Sequence, residues 1–337
     1  MPSPRVYVTR HLPGDALPRL AEKVDLRVWE GESPPPREVL LEEAALAHGL
    51  LAQHTEHIDG GVLDAAPKLI VISNMATGYD NIDVAAASEH AVLVTRTPGV
   101  LAASTADFAF ALLLSAARRL VEGDRYVREG HWRTWGPEFF LAHDVHGAVL
   151  GIVGLGGVGL EMAKRARGFG MRVFYYSRTR KPTLEKRYGL TFASLDDLLR
   201  QADFVSLHAP LTKETHHLIG EKELALMKPT AAIINTARGP LVDQRALYHA
   251  LAEGGIAAAA LDVTDPEPIP SDDPLLRLEN VIVTPHIASA STATRARMAM
   301  LAATNLLAAL EGRLPKDTVN KQISRRWRTA FHSRIAS

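Results

Sequence analysis

The stretch Gly151-Ile-Val-Gly154-Leu-Gly156-Gly157-Val158-Gly159 constrains the fold more than any other. It sets a G-x-G-x-x-G pattern directly after the apolar run Val149 to Val153 and directly before an amphipathic stretch carrying Leu160, Met162, Ala163 and Ala166. In a strand–turn–helix context such glycines permit a tight turn and close backbone approach, and the following helix N-terminus meets a pyrophosphate. A second strand, Arg172 to Tyr176, completes a mononucleotide-binding unit. A bare glycine pattern would be weak, and a turn of purely structural use is the competing reading; the flanking strands and helix favour dinucleotide binding.

Further short apolar runs recur along the chain: Arg5 to Thr9, Leu69 to Ile72, Val92 to Val94, Phe204 to Leu207, Ala231 to Ile234, Ala257 to Leu261 and Val281 to Val283. Continuous apolar strands separated by helical segments imply parallel sheets covered on both faces, hence an α/β fold. Domains usually run to about 100–200 residues, so 337 residues suggest two, with a cleft between them. A helical stretch from about Ser104 to Glu129 reads as a connector, and another from about Ser291 to Leu310 returns the chain to the first domain. The basic stretch from Lys321, with Arg325, Arg326, Arg328 and Arg334, reads as a solvated or frayed C-terminal tail.

With 47% apolar and 23% charged residues the chain can bury a substantial core. Lys plus Arg equals Asp plus Glu at 38 each, so no global field favours nucleic acid or an anionic membrane. The absence of cysteine excludes disulfides, thiol nucleophiles and thiolate metal sites, and no metal is expected. With no export signal or long apolar span, the expected location is the cytosol.

An NAD-selective site places an acid about 20 residues beyond the glycines, at the end of the second strand. Here that strand ends Tyr176-Ser177-Arg178-Thr179-Arg180-Lys181. A hydroxyl and the guanidiniums of Arg178 and Arg180 suit a ribose 2′-phosphate through charge-assisted bonds, so NADP(H) is expected over NAD(H). The competing reading is a solvated loop.

Three polar groups follow later strands, where open α/β sheets place ligands: Arg238 after Ile233 to Thr236, Glu267 after Leu261 to Val263, and His286 after Val283 to Pro285. Reducing a 2-keto acid needs a cation for the carboxylate, a proton donor for the carbonyl oxygen, and a group that keeps the donor charged. Arg238, His286 and Glu267 supply these in turn. Taken singly, they read as a strand-end turn, one of fourteen histidines and an exposed loop acid.

At these residues the chain resembles the D-isomer-specific 2-hydroxyacid dehydrogenases, and within them the glyoxylate/hydroxypyruvate reductases, over about Arg5 to Asn320. The motifs carrying the resemblance are Asn74 to Asp83, Thr97 to Val100, Gly151 to Gly159, Tyr176 to Arg180, Asn235 to Gly239, Leu261 to Pro268 and Thr284 to Ile287. It implies a flavodoxin-like, discontinuous catalytic domain (1–99 and 288–320) around a Rossmann domain (100–287), with 321–337 as the tail. It further implies that Arg238, Glu267 and His286 are catalytic, that backbone amides around Ala76, Thr77 and Gly78 hold the substrate carboxylate, and that Arg238 and His286 also bind the substrate. Leu155 with Gly156, Gly157 and Val158 would hold the pyrophosphate, and Thr105, Pro210, Thr236, Asp262 and Ala288 would contact the cofactor, Asp262 near the nicotinamide amide. Members are usually homodimers joined through the nucleotide domain by an arm resembling Gly130 to Pro137; Trp132 and Trp135 there read either as interface or as core residues.

Two departures stand out. Ala288 replaces a common Gly after His-Ile, adding a methyl beside the expected nicotinamide, and Leu51 to Thr55 brings Gln53 and His54 to the expected substrate mouth. The expected activity is reduction of glyoxylate or hydroxypyruvate to glycolate or D-glycerate with NADPH. Other 2-hydroxy acids, phosphite oxidation and a non-enzymatic dinucleotide sensor are the competing functions.

Overall fold

The computed structural model describes residues 3–335, which divide into two compact units. The first comprises residues 3–101 with 290–335, the second residues 102–289.

In the first unit β1 (Arg5–Val8), β2 (Asp25–Val28), β3 (Gly49–Ala52), β4 (Val71–Asn74) and β5 (Leu93–Thr95) form a parallel sheet in the order β2-β1-β3-β4-β5. This is the flavodoxin-like order. The central strands β3 and β4 are buried along their whole length, whereas β2 alternates exposed and half-buried residues as an edge strand does. On one face lies the helix Thr292–Leu310, begun by Ser291, whose side chain accepts from the Thr294 N–H. Its Ala299, Ala302, Ala303 and Leu306 enter the core with Val6, Val8, Leu51 and Val71. Small side chains let the helix approach closely: a Cβ on Gly49 would lie 3.1 Å from Leu306 Cδ1.

The second unit carries β6 (Val149–Val153), β7 (Arg172–Tyr176), β8 (Leu190–Phe192), β9 (Phe204–Leu207), β10 (Ala232–Asn235), β11 (Ala258–Leu261) and β12 (Val281–Val283). All pair in parallel, in the order β12-β11-β10-β9-β6-β7-β8. The chain order reverses between β6 and β9, the switch point at which such sheets bind ligands beyond their C-terminal edges. Apolar clusters cover both faces, one around Phe110, Ile152, Met162 and Tyr175, the other around Val153, Leu198, Ile233 and Leu247.

Some expectations need correction. The connector is two helices, Ala102–Ala117 and Leu120–Arg128, because Arg119 between them is left-handed at φ +51°. The expected solvated tail is instead the helix Ser324–Arg334. Ile323, Trp327, Phe331 and Ile335 recur every fourth residue and so share one helix face, which packs onto the first unit's core with Trp327 fully buried and its Nε1 donating to the Ile70 carbonyl. Losing a buried aromatic of this size typically costs about 3–5 kcal/mol. Among the described residues, no helix is long and apolar enough to cross a membrane.

Candidate active site

After β6 the glycines do different work. Gly154 has φ +100°, and a Cβ there would meet Ala209 N and the His208 carbonyl carbon at 2.6 Å. A Cβ on Gly159 would strike the Gly154 carbonyl. These two make the turn and seat the helix Gly157–Gly168 on the sheet. A Cβ on Gly156 would meet nothing within 4 Å, and this residue caps the helix without a side-chain hydrogen bond. The helix N-terminus therefore keeps its N–H groups uncapped by side chains beside open space, a setting that fits a pyrophosphate. Leu155 and Thr105 are buried, Val158 is half-buried and Gly157 exposed. At the end of β10 Thr236 is buried with its hydroxyl lacking a hydrogen-bond partner, an atom a dinucleotide can satisfy. Pro210 is exposed beyond β9, its carbonyl accepting from Thr215 Oγ1. Burial pulls the nearby His208 down to about 4, so its ring stays neutral and meets Ser206 Oγ at 2.9 Å.

At the end of β7 the Ser177 hydroxyl donates to the Thr179 carbonyl at 2.7 Å, and Arg178 is exposed. Arg180 is bound side-on, Nε and Nη2 donating to the two oxygens of Glu185 at 2.9 and 2.8 Å. The acid missing from the strand end thus appears one helical turn further on, in Pro182–Tyr188. Arg180, and then Tyr175, hold its carboxyl down to about 2. Sequence reading passed it over because it lies outside the strand-end window.

Arg238, Glu267 and His286 follow the C-terminal ends of the adjacent strands β10, β11 and β12. The Arg238 turn is clasped by Asn235, a buried polar residue whose Nδ2 donates to the Arg238 carbonyl and whose Oδ1 accepts from the Ala237 N–H. Arg238 Nη1 also donates to the Ala237 carbonyl. Gly239 lies so close to the loop after β11 that a Cβ would collide with the Thr264 carbonyl and come within 2.8 Å of Asp265 N. That loop carries Glu267, whose Oε1 lies 2.6 Å from His286 Nδ1. A carboxylate only accepts, so this contact places a proton on Nδ1 and turns Nε2 toward other partners.

His286 itself is left-handed at φ +54°, and its N–H donates to the carbonyls of Asp262 and Thr284. The Asp262 carboxylate fixes the rest of the turn: Oδ1 accepts from Thr284 Oγ1 and Ile287 N, and Oδ2 from Ala288 N. Asp262, expected only as a cofactor contact, is thus also what shapes the His286 turn. Ala288 is buried there.

In the first unit Ala76, Thr77 and Gly78 form a turn beyond β4. The Ala76 carbonyl accepts from Thr97 N, Thr77 Oγ1 donates to the Thr97 carbonyl, and the Gly78 carbonyl accepts from Asn74 Nδ2. Gln53 and His54 lie on a loop held by Glu56, which sequence reading missed: it is buried and accepts from Gln53 N, Thr9 Oγ1 and Thr55 Oγ1.

The family model described as D-isomer specific 2-hydroxyacid dehydrogenase, NAD binding domain, matches residues 110–288. A glyoxylate reductase of Korarchaeum cryptofilum is 52% identical over 321 residues, spanning 95% of this chain and 97% of that protein. A Thermus thermophilus crystal structure superposes with a TM-score of 0.89 at 49% identity, covering 94% of this chain and 99% of that one. An NADPH-dependent glyoxylate/hydroxypyruvate reductase from Sinorhizobium meliloti, solved with NADP and malonate, gives a TM-score of 0.81 at 30% identity over 94% of this chain and 96% of that one.

Proposed function

Because the chain belongs to the D-isomer specific 2-hydroxyacid dehydrogenases, enzymes with a nicotinamide-dinucleotide-binding domain, we propose that it reduces glyoxylate and hydroxypyruvate to glycolate and D-glycerate, with NADPH preferred over NADH. The observation that carries the reading is the 2.6 Å pairing of His286 with Glu267, whose loop backbone abuts the Arg238 turn. The names of the Korarchaeum and Sinorhizobium relatives support the substrates, and Ser177 with Arg178 supports the NADPH preference.

The bound dinucleotide supplies a hydride to the keto carbon. Arg238 binds the substrate carboxylate and the carbonyl oxygen through its planar fork. His286 gives the Nε2 proton to that oxygen as negative charge develops on it, while Glu267 accepts from Nδ1 and keeps the ring oriented. The backbone amides of Ala76, Thr77 and Gly78 are assigned to the substrate carboxylate. In the second unit, Gly154 to Gly159 take the pyrophosphate, Ser177 and Arg178 the 2′-phosphate, and Thr105, Pro210, Thr236, Asp262 and Ala288 other parts of the cofactor.

Steady-state oxidation of NADPH and, separately, NADH with glyoxylate, hydroxypyruvate and pyruvate tests this. The expected result is faster NADPH oxidation with the first two substrates. An NADH preference would refute the cofactor assignment alone; no oxidation of either cofactor by any keto acid would refute the reductase and favour phosphite oxidation or dinucleotide sensing.

A homodimer is part of the same proposal. Trp132 and Trp135 are 62% and 77% exposed, which dismisses the core-filler reading, and Leu120, Val127 and Leu141 are also more than half exposed. Apolar side chains gathered in one segment this way mark an interaction surface. Light scattering is expected to give twice the chain mass for the wild type and a shift toward the single chain for Trp135→Asp; a monomeric wild type would refute it.

A further inference from the structure

We propose that Glu185 is a specificity-determining residue for the cofactor: by holding the Arg180 guanidinium side-on, it withdraws that cation from a ribose 2′-phosphate, leaves Ser177 and Arg178 to recognise the phosphate, and so keeps NADH acceptable. The inference rests on the dinucleotide reading above and deepens it.

The Arg180 side chain is 62% exposed, but the pair is anchored from the Glu185 side. Both Arg180 Nε and Nη2 are engaged, on the edge a bidentate phosphate would use. Glu185 is itself tethered, because the hydroxyl of Tyr175 donates to its Oε1 at 2.7 Å and accepts from the Lys181 N–H at 2.7 Å. The Tyr175 ring is buried in the core of the second unit and edge-on to Phe192, over which Arg180 also lies, 5.8 Å from the ring centre. An acid, a cation and a core tyrosine therefore fix one another, and only 14% of the Glu185 side chain is exposed.

The electrostatic consequence falls on one cofactor. Glu185 remains ionised at any working pH, since its carboxyl is held down to about 2. Its charge cancels that of Arg180 as seen from a nearby dianion, whereas a ribose hydroxyl carries no charge to be repelled. Replacing Glu185 with glutamine keeps the shape and one acceptor for Arg180 but restores a net positive charge beside the phosphate position.

The test is direct titration of the full-length protein, its Glu185→Gln and Arg180→Ala variants and the double variant, with NADPH and with NADH. Glu185→Gln is expected to tighten NADPH by about fivefold and leave NADH within about twofold, the scale of one partly exposed charge. Arg180→Ala alone is expected to weaken NADPH by only a few-fold, and the glutamine gain should shrink when Arg180 is absent, because relief of the carboxylate's repulsion then remains but the freed guanidinium does not. NADPH affinity unchanged or weakened in Glu185→Gln, with NADH binding intact, overturns the inference while leaving a wild-type NADPH preference standing. A wild type that prefers NADH, with the glutamine gain present, refutes the preference and supports the inference. Should Glu185→Gln lose NADH binding through misfolding, Arg180→Ala decides: a loss of about tenfold or more for NADPH would mean that Arg180 serves the phosphate despite Glu185.

Discussion

Replacing His286 with alanine is expected to lower kcat for keto-acid reduction about a thousandfold while leaving the dinucleotide Kd within about threefold. A positioned proton donor contributes on the order of a hundred- to ten-thousandfold, and it acts only as charge develops on the substrate oxygen. The turn should survive the substitution, because it is built from backbone groups: the His286 N–H on the Asp262 and Thr284 carbonyls, and the Ile287 and Ala288 N–H groups on the Asp262 carboxylate. Since His286 is left-handed, His286→Asn is the companion variant, asparagine being the non-glycine residue that best tolerates that conformation. Steady-state turnover together with cofactor titration checks both. Turnover within tenfold of wild type would remove His286 from the chemistry; loss of cofactor binding in both variants would mean that the imidazole supports the fold of the turn.

How much of this was legible in the sequence depends on how far apart the interacting residues lie. The glycine turn was, because Gly154 to Gly159, the strand before them and the helix after them are contiguous. The positions of Arg238, Glu267 and His286 beyond strand ends were too, since each closely follows a short apolar run that forms a strand. The expected strands sit within two residues of the observed ones. What escaped was set by partners distant in sequence. The fully buried β3, Gly49–Ala52, is too short to show a period, and Leu306 packs beside it from more than 250 residues away. Glu185 is one acid among many until Arg180 and Tyr175 are seen to converge on it. Asp262 looked like a ligand contact, yet its carboxylate holds the turn after the next strand, more than 20 residues on. The C-terminal helix was concealed by its arginines, whose charge outweighed the four-residue spacing of Ile323, Trp327 and Phe331.

Gly239→Ala should be as damaging to the site as removing a side chain from it, although glycine contributes no chemistry. The added Cβ would collide with the Thr264 carbonyl and press on Asp265 N, all main-chain atoms that cannot rotate aside as a flexible side chain does. Overpacking ordinarily costs about 1–3 kcal/mol, and a clash against backbone belongs at the top of that range, so a loss of about 3 kcal/mol in unfolding free energy is expected. Catalysis should suffer separately. The turn that holds Arg238 and the loop that holds Glu267 meet at this contact, and relief of the clash must move one from the other; displacement of about 1 Å at such groups costs on the order of a hundredfold in turnover. Gly156→Ala is the control for folding, since a Cβ there meets nothing within 4 Å and the poorer N-cap should cost no more than about 1 kcal/mol. Denaturant unfolding and turnover, measured on both variants, separate the effects. Gly239→Ala within about 1 kcal/mol of wild type and with normal kcat would show that the Arg238 turn and the Glu267 loop do not depend on backbone contact, and the rigid coupling of cation, acid and imidazole would have to be sought in their side chains alone.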